Sequence, residues 1–272
     1  MKTLLRPLCA AAALTALLAA PMAAQAHRSW LLPSSTVLSG SEAWVTVDGA
    51  VSNTLFVFEH VPMRLDGLTV TGPDGAAVAP QNAATGKYRS TFDLQLSKPG
   101  TYRIAMASEG AFAAYKQGGE DKRWRGAASE LATAVPADAT DVRLTHSNRR
   151  VETFVTLGDT TLAALAPTGS GLELAPVTHP NDLFAGEAAT FRLLLDGQPA
   201  AGVEVTIVQG GERYRDTAGD MTLTTGADGS FQVTWPEPGM YWLEAETRGG
   251  KSPIAGAERS ALYVATFEVL PQ

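Results

Sequence analysis

The chain has 272 residues, with 21 Lys and Arg against 28 Asp and Glu, so its formal charge is −7. An acidic chain without clustered basic residues is not a nucleic-acid-binding protein, and it has no electrostatic reason to dock on acidic lipid. A single cysteine among 272 residues excludes internal disulfides and thiolate metal clusters. Any metal must therefore be held by nitrogen and oxygen.

Residues 1–26 have the pattern of a secretory signal peptide. Lys2 and Arg6 give a positive start, an apolar run follows, and Ala24–Gln25–Ala26 forms a small-x-small cleavage site. Cleavage would remove two basic residues and leave 19 basic against 28 acidic residues, a formal charge of −9. We therefore expect a periplasmic or secreted protein that has no membrane insertion after cleavage and begins at His27.

The rest of the chain is built from short alternating apolar runs separated by Gly, Pro, Asn and Asp, which predicts an all-β protein. Pro and Gly in residues 160–171 indicate a linker. We expect two β-sandwich domains of the Ig-like or transthyretin-like kind in tandem, at 27–159 and 172–272. The predicted strands of the first domain are 43–49, 54–60, 68–75, 87–96 and 101–108, and those of the second lie within 172–178, 189–197, 202–211, 221–247 and 261–270.

Two segments carry further local signals. Residues 115–144 combine mixed charge with a short helical pattern before Pro136, which predicts either a solvated excursion or a lid or partner-binding loop over a site. Asp228–Gly229 is typical of a tight hairpin turn, and the surrounding residues do not supply the alternating oxygen ligands of a calcium loop. The five tryptophans favour core packing, with Trp124 as the candidate for an exposed sugar-stacking surface.

Five segments stand out when the chain is taken as a whole: AHRSWLLPS at the predicted mature start, and residues 58–75, 149–158, 171–205 and 226–246. Together they resemble the DUF4198 family, and the arrangement of the C-terminal half resembles transthyretin-like and carboxypeptidase-regulatory-like sandwiches. The resemblance implies a secreted protein with an N-terminal histidine and a role near cobalt or nickel uptake.

His27 would become the first residue of the mature protein. A terminal histidine offers both its α-amine and its ring Nδ1 to one metal, and a second imidazole would complete a three-nitrogen site that suits Cu(II) and then Ni(II). Arg28–Leu32 behind it has the pattern of an edge strand, which would hold the terminus in place. These features predict a metal site at the mature N-terminus.

The chain has four histidines, so the choice of a second imidazole is narrow. His60 ends the predicted strand 54–60, where sandwich loops cluster, and is the first candidate. His179 lies in a turn at the start of the second domain and would reach the site only if the domains pack end to end. His146, in a predicted polar turn, is the least favoured.

No hydrolase, metalloprotease, P-loop or dinucleotide-binding motif is present in the sequence. We therefore expect no enzyme, but a metal chaperone or uptake component that binds copper, nickel or cobalt through His27, His60 and His179. Its expected partners are the metal ion and a membrane transporter or outer-membrane receptor. Two alternatives stay open: a structural or adhesion-type envelope protein, and a copper-dependent oxidative enzyme.

Overall fold

A computed structural model describes residues 27–272. The predicted signal peptide, 1–26, lies outside the described residues. Within the described range the chain is all-β, as predicted, with one short helix, α1 (Leu131–Ala134). In chain order, the strands are β1 (Arg28–Pro33), β2 (Val37–Leu38), β3 (Ala43–Ser52), β4 (Val61–Pro62), β5 (Leu68–Thr71), β6 (Gln81–Thr85), β7 (Ser90–Leu96), β8 (Gly100–Gln117), β9 (Glu120–Gly126), β10 (Thr140–Leu157), β11 (Leu172–Pro176), β12 (Ala188–Leu195), β13 (Gln198–Pro199), β14 (Glu204–Gln209), β15 (Met221–Thr224), β16 (Ser230–Thr234), β17 (Gly239–Arg248) and β18 (Glu258–Val269).

Three sheets form from these strands. The N-terminal sheet has the order β1-β3-β7-β6, with β4 beside β3. The central sheet runs β15-β14-β17-β18-β10-β8-β5, with β2 beside β10 and β9 beside β8. The C-terminal sheet consists of β11-β12-β13, with β16 beside β12. Strand β1 lies at the edge of its sheet, as the sequence predicted for the segment after His27.

The central sheet crosses the predicted domain boundary without a break. Strand β10, before the predicted linker, pairs in parallel with β18, near the C-terminus, from Thr145 beside Glu258 to Thr153 beside Thr266. The predicted linker is itself packed, because Leu165 is buried in the C-terminal core and Glu173 accepts hydrogen bonds from the backbone N–H groups of residues 168, 169 and 170. The two sandwiches therefore share one sheet.

Each face of the central sheet is covered by one of the other sheets. Along β18, Val264 packs into the N-terminal core around Trp30 and Phe92, whereas Tyr263 and Ala265 pack into the C-terminal core. This alternation follows from the two-residue period of a strand, which sends successive side chains to opposite faces. Burying a large apolar side chain contributes about 1.5–3 kcal/mol, so strands buried on both faces hold the two halves together.

The segment 54–60, predicted as a strand, instead belongs to a loop, 53–60, between β3 and β4. Its apolar residues pack locally: Phe56, with φ of 59°, and Phe58 both lie with their rings 5.4 Å from the Trp30 ring. The Glu59 carboxylate accepts hydrogen bonds from the backbone N–H groups of Asn53 and Thr54 at 3.0 and 2.7 Å. The alternating apolar pattern thus marks a loop wrapped over a buried indole.

Residues 115–144 form mostly regular structure. Strands β8 and β9 make a hairpin, a 3-10 turn at Ala128–Glu130 leads into α1, and β10 begins at Thr140. The predicted helical segment before Pro136 is present, although it is short. The hairpin lengthens β8 and β10 to 18 residues each.

The predicted turn at Asp228–Gly229 is present, with Gly226 N–H donating to the carbonyl of Ser230 at 2.8 Å. It does not join a hairpin, because β15 pairs with β14 in the central sheet while β16 pairs with β12 in the C-terminal sheet. The turn therefore carries the chain from one layer of the sandwich to the other.

Candidate metal site at the predicted mature N-terminus

The rings of His27 and His60 stack on each other. Their centroids are 3.9 Å apart and their planes differ by 14°. Both residues are exposed, and their ring nitrogens make no hydrogen bond within the described part of the chain. Two of the four histidines, 33 positions apart, therefore meet at the surface with their nitrogens free for a ligand.

Strand β1 places His27 by anchoring the residues behind it. Arg28 lies opposite Ser52 in the antiparallel pairing with β3. The buried indole of Trp30 donates from Nε1 to Ser52 Oγ at 2.9 Å. The indole of Trp242, on the central sheet, donates to the carbonyl of Ser29 at 3.0 Å, and the Arg28 guanidinium lies 5.3 Å from its ring centroid. The segment after His27 is thus held by both the N-terminal and the central sheet.

His60 ends the loop 53–60, and the packing of that loop on Trp30 positions it. The Arg89 guanidinium covers the outer face of Phe58, 4.6 Å from the ring centroid. Because Trp30 belongs to β1, the same side chain supports the strand behind His27 and the loop before His60. This shared support explains how residues far apart in sequence meet at one point.

His179 lies elsewhere and its ring nitrogens are both used. Nδ1 accepts a hydrogen bond from the backbone N–H of Asn181 at 3.1 Å, and Nε2 lies 3.2 Å from the carbonyl of Thr161 and 3.0 Å from Thr101 Oγ1. An accepting Nδ1 and a donating Nε2 define the neutral ring. Burial lowers the pKa of His179, while the Thr161 carbonyl and Asp182 act in the opposite direction. The residue joins the two halves of the chain, and the structure does not place it with His27 and His60.

His146 is not in a polar turn, as the sequence suggested, but within the central strand β10. It is 2% exposed, and its Nε2 lies 2.6 Å from Glu109 Oε1. An open cavity of about 310 Å³ lies beside it, and Asn148, Asp196 and Arg259 are among its lining residues. This histidine is buried, unlike the exposed stacked pair, and its ring contacts Glu109 of the neighbouring strand β8.

The model of a family described as a domain of unknown function, DUF4198, matches residues 24–249. The chain belongs to the DUF4198 family. The match begins just before His27 and ends after β17, before β18, so it covers most of the chain and confirms the resemblance to the family seen in the sequence. The family's description carries no activity, and the cobalt or nickel role implied by the resemblance stays a prediction.

No curated protein sequence matches this DUF4198 protein. Among solved structures, the D0-D1 domain of intimin is similar with 12% identity over 88% of this chain and 97% of that one, at a TM-score of 0.22. Fibronectin(III)-like modules of CbhA from Clostridium thermocellum show 9% identity over 89% and 94% of the two chains, also at 0.22. Scores this low carry no argument about function. Family membership and the all-β architecture are compatible with a non-catalytic envelope protein.

The donor set of the DUF4198 protein fits a metal only if the terminus is free. Residues 27–272 contain no group of three or more His, Cys, Asp or Glu side chains placed to hold a metal ion. The two imidazoles of His27 and His60 would need a third donor, which the α-amine exposed by cleavage would supply. His179 does not join this group, so the structure supports two of the three predicted side-chain ligands as neighbours.

Arg28, the residue after His27, interacts with several acidic groups. Arg28 donates from Nη1 to Glu212 Oε1 at 2.6 Å, and its Nη2 lies 3.9 Å from Asp220. Burial and the neighbouring Glu246 raise the pKa of Glu244, against the opposing effects of Arg149 and Arg28. Sequence patterns did not single out Glu212, because it lies 184 positions from Arg28 in a charged loop with no motif around it.

Within the described range, no helix of the DUF4198 protein is long and apolar enough to cross a membrane. The predicted sugar-stacking residue Trp124 is half-buried, whereas Trp44 is 48% exposed. Trp30, Trp235 and Trp242 are core residues, as the pattern of the sequence favoured.

Proposed function

We propose that this protein is exported, cleaved before His27, and binds one divalent transition-metal ion through His27 and His60. It would act as a non-catalytic metal chaperone or uptake component in the periplasm or outside the cell. The stacking of two exposed imidazoles at 3.9 Å, one of them at the predicted mature terminus, is the observation that carries the proposal. Family membership is compatible with this function and does not specify it.

The chemistry of the donors indicates the metal. Cleavage would add the α-amine of His27 to its own ring and to the ring of His60, which makes a set of three nitrogens. Nitrogen donors of this kind bind Cu(II) more strongly than Ni(II) or Co(II) at equal geometry. We therefore expect copper to bind most tightly in vitro, with nickel and cobalt weaker.

Metal binding requires a local rearrangement of the pair. The lone pair of an imidazole nitrogen lies in the ring plane, so two nearly parallel rings do not direct their nitrogens at one point between them. Both side chains are exposed and without hydrogen bonds in the described chain, so rotating one ring breaks only the stack. The cost of adopting the binding geometry is therefore small.

The exposure of both rings also supports a role in transfer. A site with three protein donors at the surface leaves coordination positions to which a partner can add its own ligands. A membrane transporter or outer-membrane receptor is the expected recipient or donor of the metal. A closed, buried site would instead favour permanent retention.

Metal titration of the mature protein tests the proposal. The full chain would be expressed with residues 1–26, its N-terminus verified by mass spectrometry, and Cu(II), Ni(II) and Co(II) titrated by calorimetry. We expect one Cu(II) per chain and nitrogen hyperfine structure in its electron paramagnetic resonance spectrum. One alanine inserted before His27 should separate amine from ring, and His60→Ala should remove one ring, each with a loss of at least about tenfold in affinity.

His179→Gln is the matched control, because it removes a histidine whose nitrogens are both hydrogen-bonded within the protein. It should leave copper affinity unchanged. Equal copper binding by the alanine-extended protein would contradict the proposed role of the terminal amine, and the absence of metal binding by the mature protein would favour a structural envelope protein. Copper-dependent turnover of peroxide or oxygen with ascorbate would instead favour the oxidative enzyme.

A further inference from the structure

One carboxylate contacts both segments that carry the stacked histidines. Glu212, in a 3-10 turn at Glu212–Tyr214, accepts from Arg28 Nη1 with Oε1 at 2.6 Å. Its other oxygen, Oε2, accepts from the backbone N–H of Leu55 at 3.0 Å. Arg28 directly follows His27, and Leu55 lies in the loop that ends at His60.

The two contacts are well sheltered from water. The Glu212 side chain is 13% exposed and that of Arg28 is 19% exposed. A charge-assisted hydrogen bond in such surroundings is stronger than an exposed ion pair. Asp220, the other acidic neighbour of Arg28, lies 3.9 Å away and is 42% exposed, so it contributes much less.

The remaining contacts of the loop 53–60 fix the position of His60 relative to Leu55. Leu55 is 1% exposed, and Phe56 packs against Gly210, just before the turn that carries Glu212. Glu59 closes the same loop on the N–H groups of Asn53 and Thr54. With both ends of the loop fixed, His60 has little freedom of backbone position.

We infer that Glu212 is a positioning residue for the metal site, so that the C-terminal half of the chain sets the distance between two ligands of the N-terminal half. The inference rests on the proposed function for its consequence in metal affinity. Its structural basis, the double contact of Glu212, is independent of any metal. Preorganised ligands bind better because the protein does not have to order them on binding.

The test compares Glu212→Gln and Glu212→Ala with the control Asp220→Asn, all in the mature full-length chain. Glu212→Gln loses the charge that pairs with Arg28 but keeps an oxygen for Leu55 N–H, whereas Glu212→Ala loses both contacts. Loss of an outer-sphere partner of a metal ligand typically weakens metal binding about 10–100-fold. We expect Asp220→Asn to keep the Cu(II) affinity of the wild type. Glu212→Gln should weaken Cu(II) binding, and Glu212→Ala should weaken it further.

A second readout needs no metal. In the metal-free mature protein, the ring protons of His27 and His60 should show a nuclear Overhauser effect, which Glu212→Ala should abolish while circular dichroism shows a folded protein. A general loss of stability would not remove this contact selectively.

The outcomes separate the two proposals. If wild type binds copper and Glu212→Ala binds it equally, with the ring contact retained, the positioning role is wrong and the metal function stands. If wild type binds no metal, the proposed function fails. In that case, a ring contact that is present in wild type and lost in Glu212→Ala would still establish that Glu212 positions the two histidines. A ring contact that persists in the variant would overturn this positioning role.

Discussion

At the scale of single residues, the four histidines differ in what their nitrogens contact. Within residues 27–272, the ring nitrogens of the exposed His27 and His60 make no hydrogen bond, whereas both ring nitrogens of His179 do. His146 is bonded through Nε2, and its Nδ1 is buried without a hydrogen-bond partner in the same range. Histidine is the commonest metal ligand, but a ring whose Nδ1 already accepts a backbone N–H has no lone pair left on that atom. Exposure and hydrogen-bond partners together therefore distinguish the candidate ligands, His27 and His60, from the two histidines that lie within the protein.

The lowered pKa of His179 predicts a pH dependence of stability. Its folded pKa lies below the reference value of about 6.5, so the unfolded chain binds a proton more readily than the folded one. Its contribution is therefore complete above about pH 6.5 and is lost as the pH falls through the lower folded pKa. Urea unfolding at pH 7.5 and pH 5.5 should show a smaller loss of stability for His179→Gln than for wild type. An identical pH dependence in the two proteins would contradict the assignment of His179 as a neutral, half-buried ring.

At the scale of elements, the turn between two successive strands determines whether they join the same sheet or different sheets. The turn at Asp228–Gly229 sends β16 to a different sheet from β15. Gly229 has φ of 77°, and a Cβ there would collide with the carbonyl oxygen of Leu193 and lie 3.0 Å from the backbone N of Ala200. Glycine is required at this position by both the backbone conformation and the neighbouring strand.

Gly229→Ala should therefore destabilise the protein by about 1–3 kcal/mol, because it combines an unfavourable φ with a steric clash. Gly202 provides the control, since its φ is 70° but a Cβ there would meet nothing within 4 Å. Gly202→Ala should cost only about 1 kcal/mol, the cost of the left-handed conformation alone. Denaturant unfolding of both variants measures the difference, and equal losses would show that the clash at Gly229 is relieved by a shift of the turn.

At the scale of the whole molecule, the shared central sheet makes the halves interdependent. Tyr263 on β18 donates to Glu152 on β10 at 2.9 Å, and burial raises the pKa of that tyrosine. Val208, Trp242 and Val264, all from the C-terminal half, are buried in the N-terminal core. The sequence predicted a linker at 160–171 between two domains, and the pairing of β10 with β18 joins strands from the two sides of that linker in one sheet.

A fragment from Gly171 to Gln272 should therefore show no cooperative thermal transition. It would leave β18 without its partner β10 and would expose Trp242 and Val264 to water. Residues 27–272 together should melt in a single transition, measured by circular dichroism or calorimetry. Co-expression of residues 27–170 is the control and should restore a folded complex. A cooperative melt of the isolated fragment would show that the C-terminal sandwich is autonomous after all.

The sequence by itself determined the all-β class of the protein and both histidines of its candidate site. Alternating apolar runs predicted the strands, because burial on one face of a strand imposes a two-residue period. The small-x-small signal before His27 and the scarcity of histidine pointed to His27 and His60, whose rings the structure brings together. Asp228–Gly229 predicted a turn from its conformational preference, which depends only on neighbouring residues.

Only the tertiary structure decided the remaining features, because they depend on contacts between residues distant in sequence. The parallel pairing of β10 with β18 joins positions more than 100 residues apart, and no local pattern encodes the partner of a strand. The apolar residues at 54–60 predicted a strand, but they belong to a loop that packs on Trp30. A loop packed on an indole and a strand buried on one face both require apolar residues, so the sequence alone does not distinguish them. Glu212 reaches Arg28 and Leu55 only after both halves have folded, so its contact with the candidate site follows from long-range packing that local residue preferences do not specify.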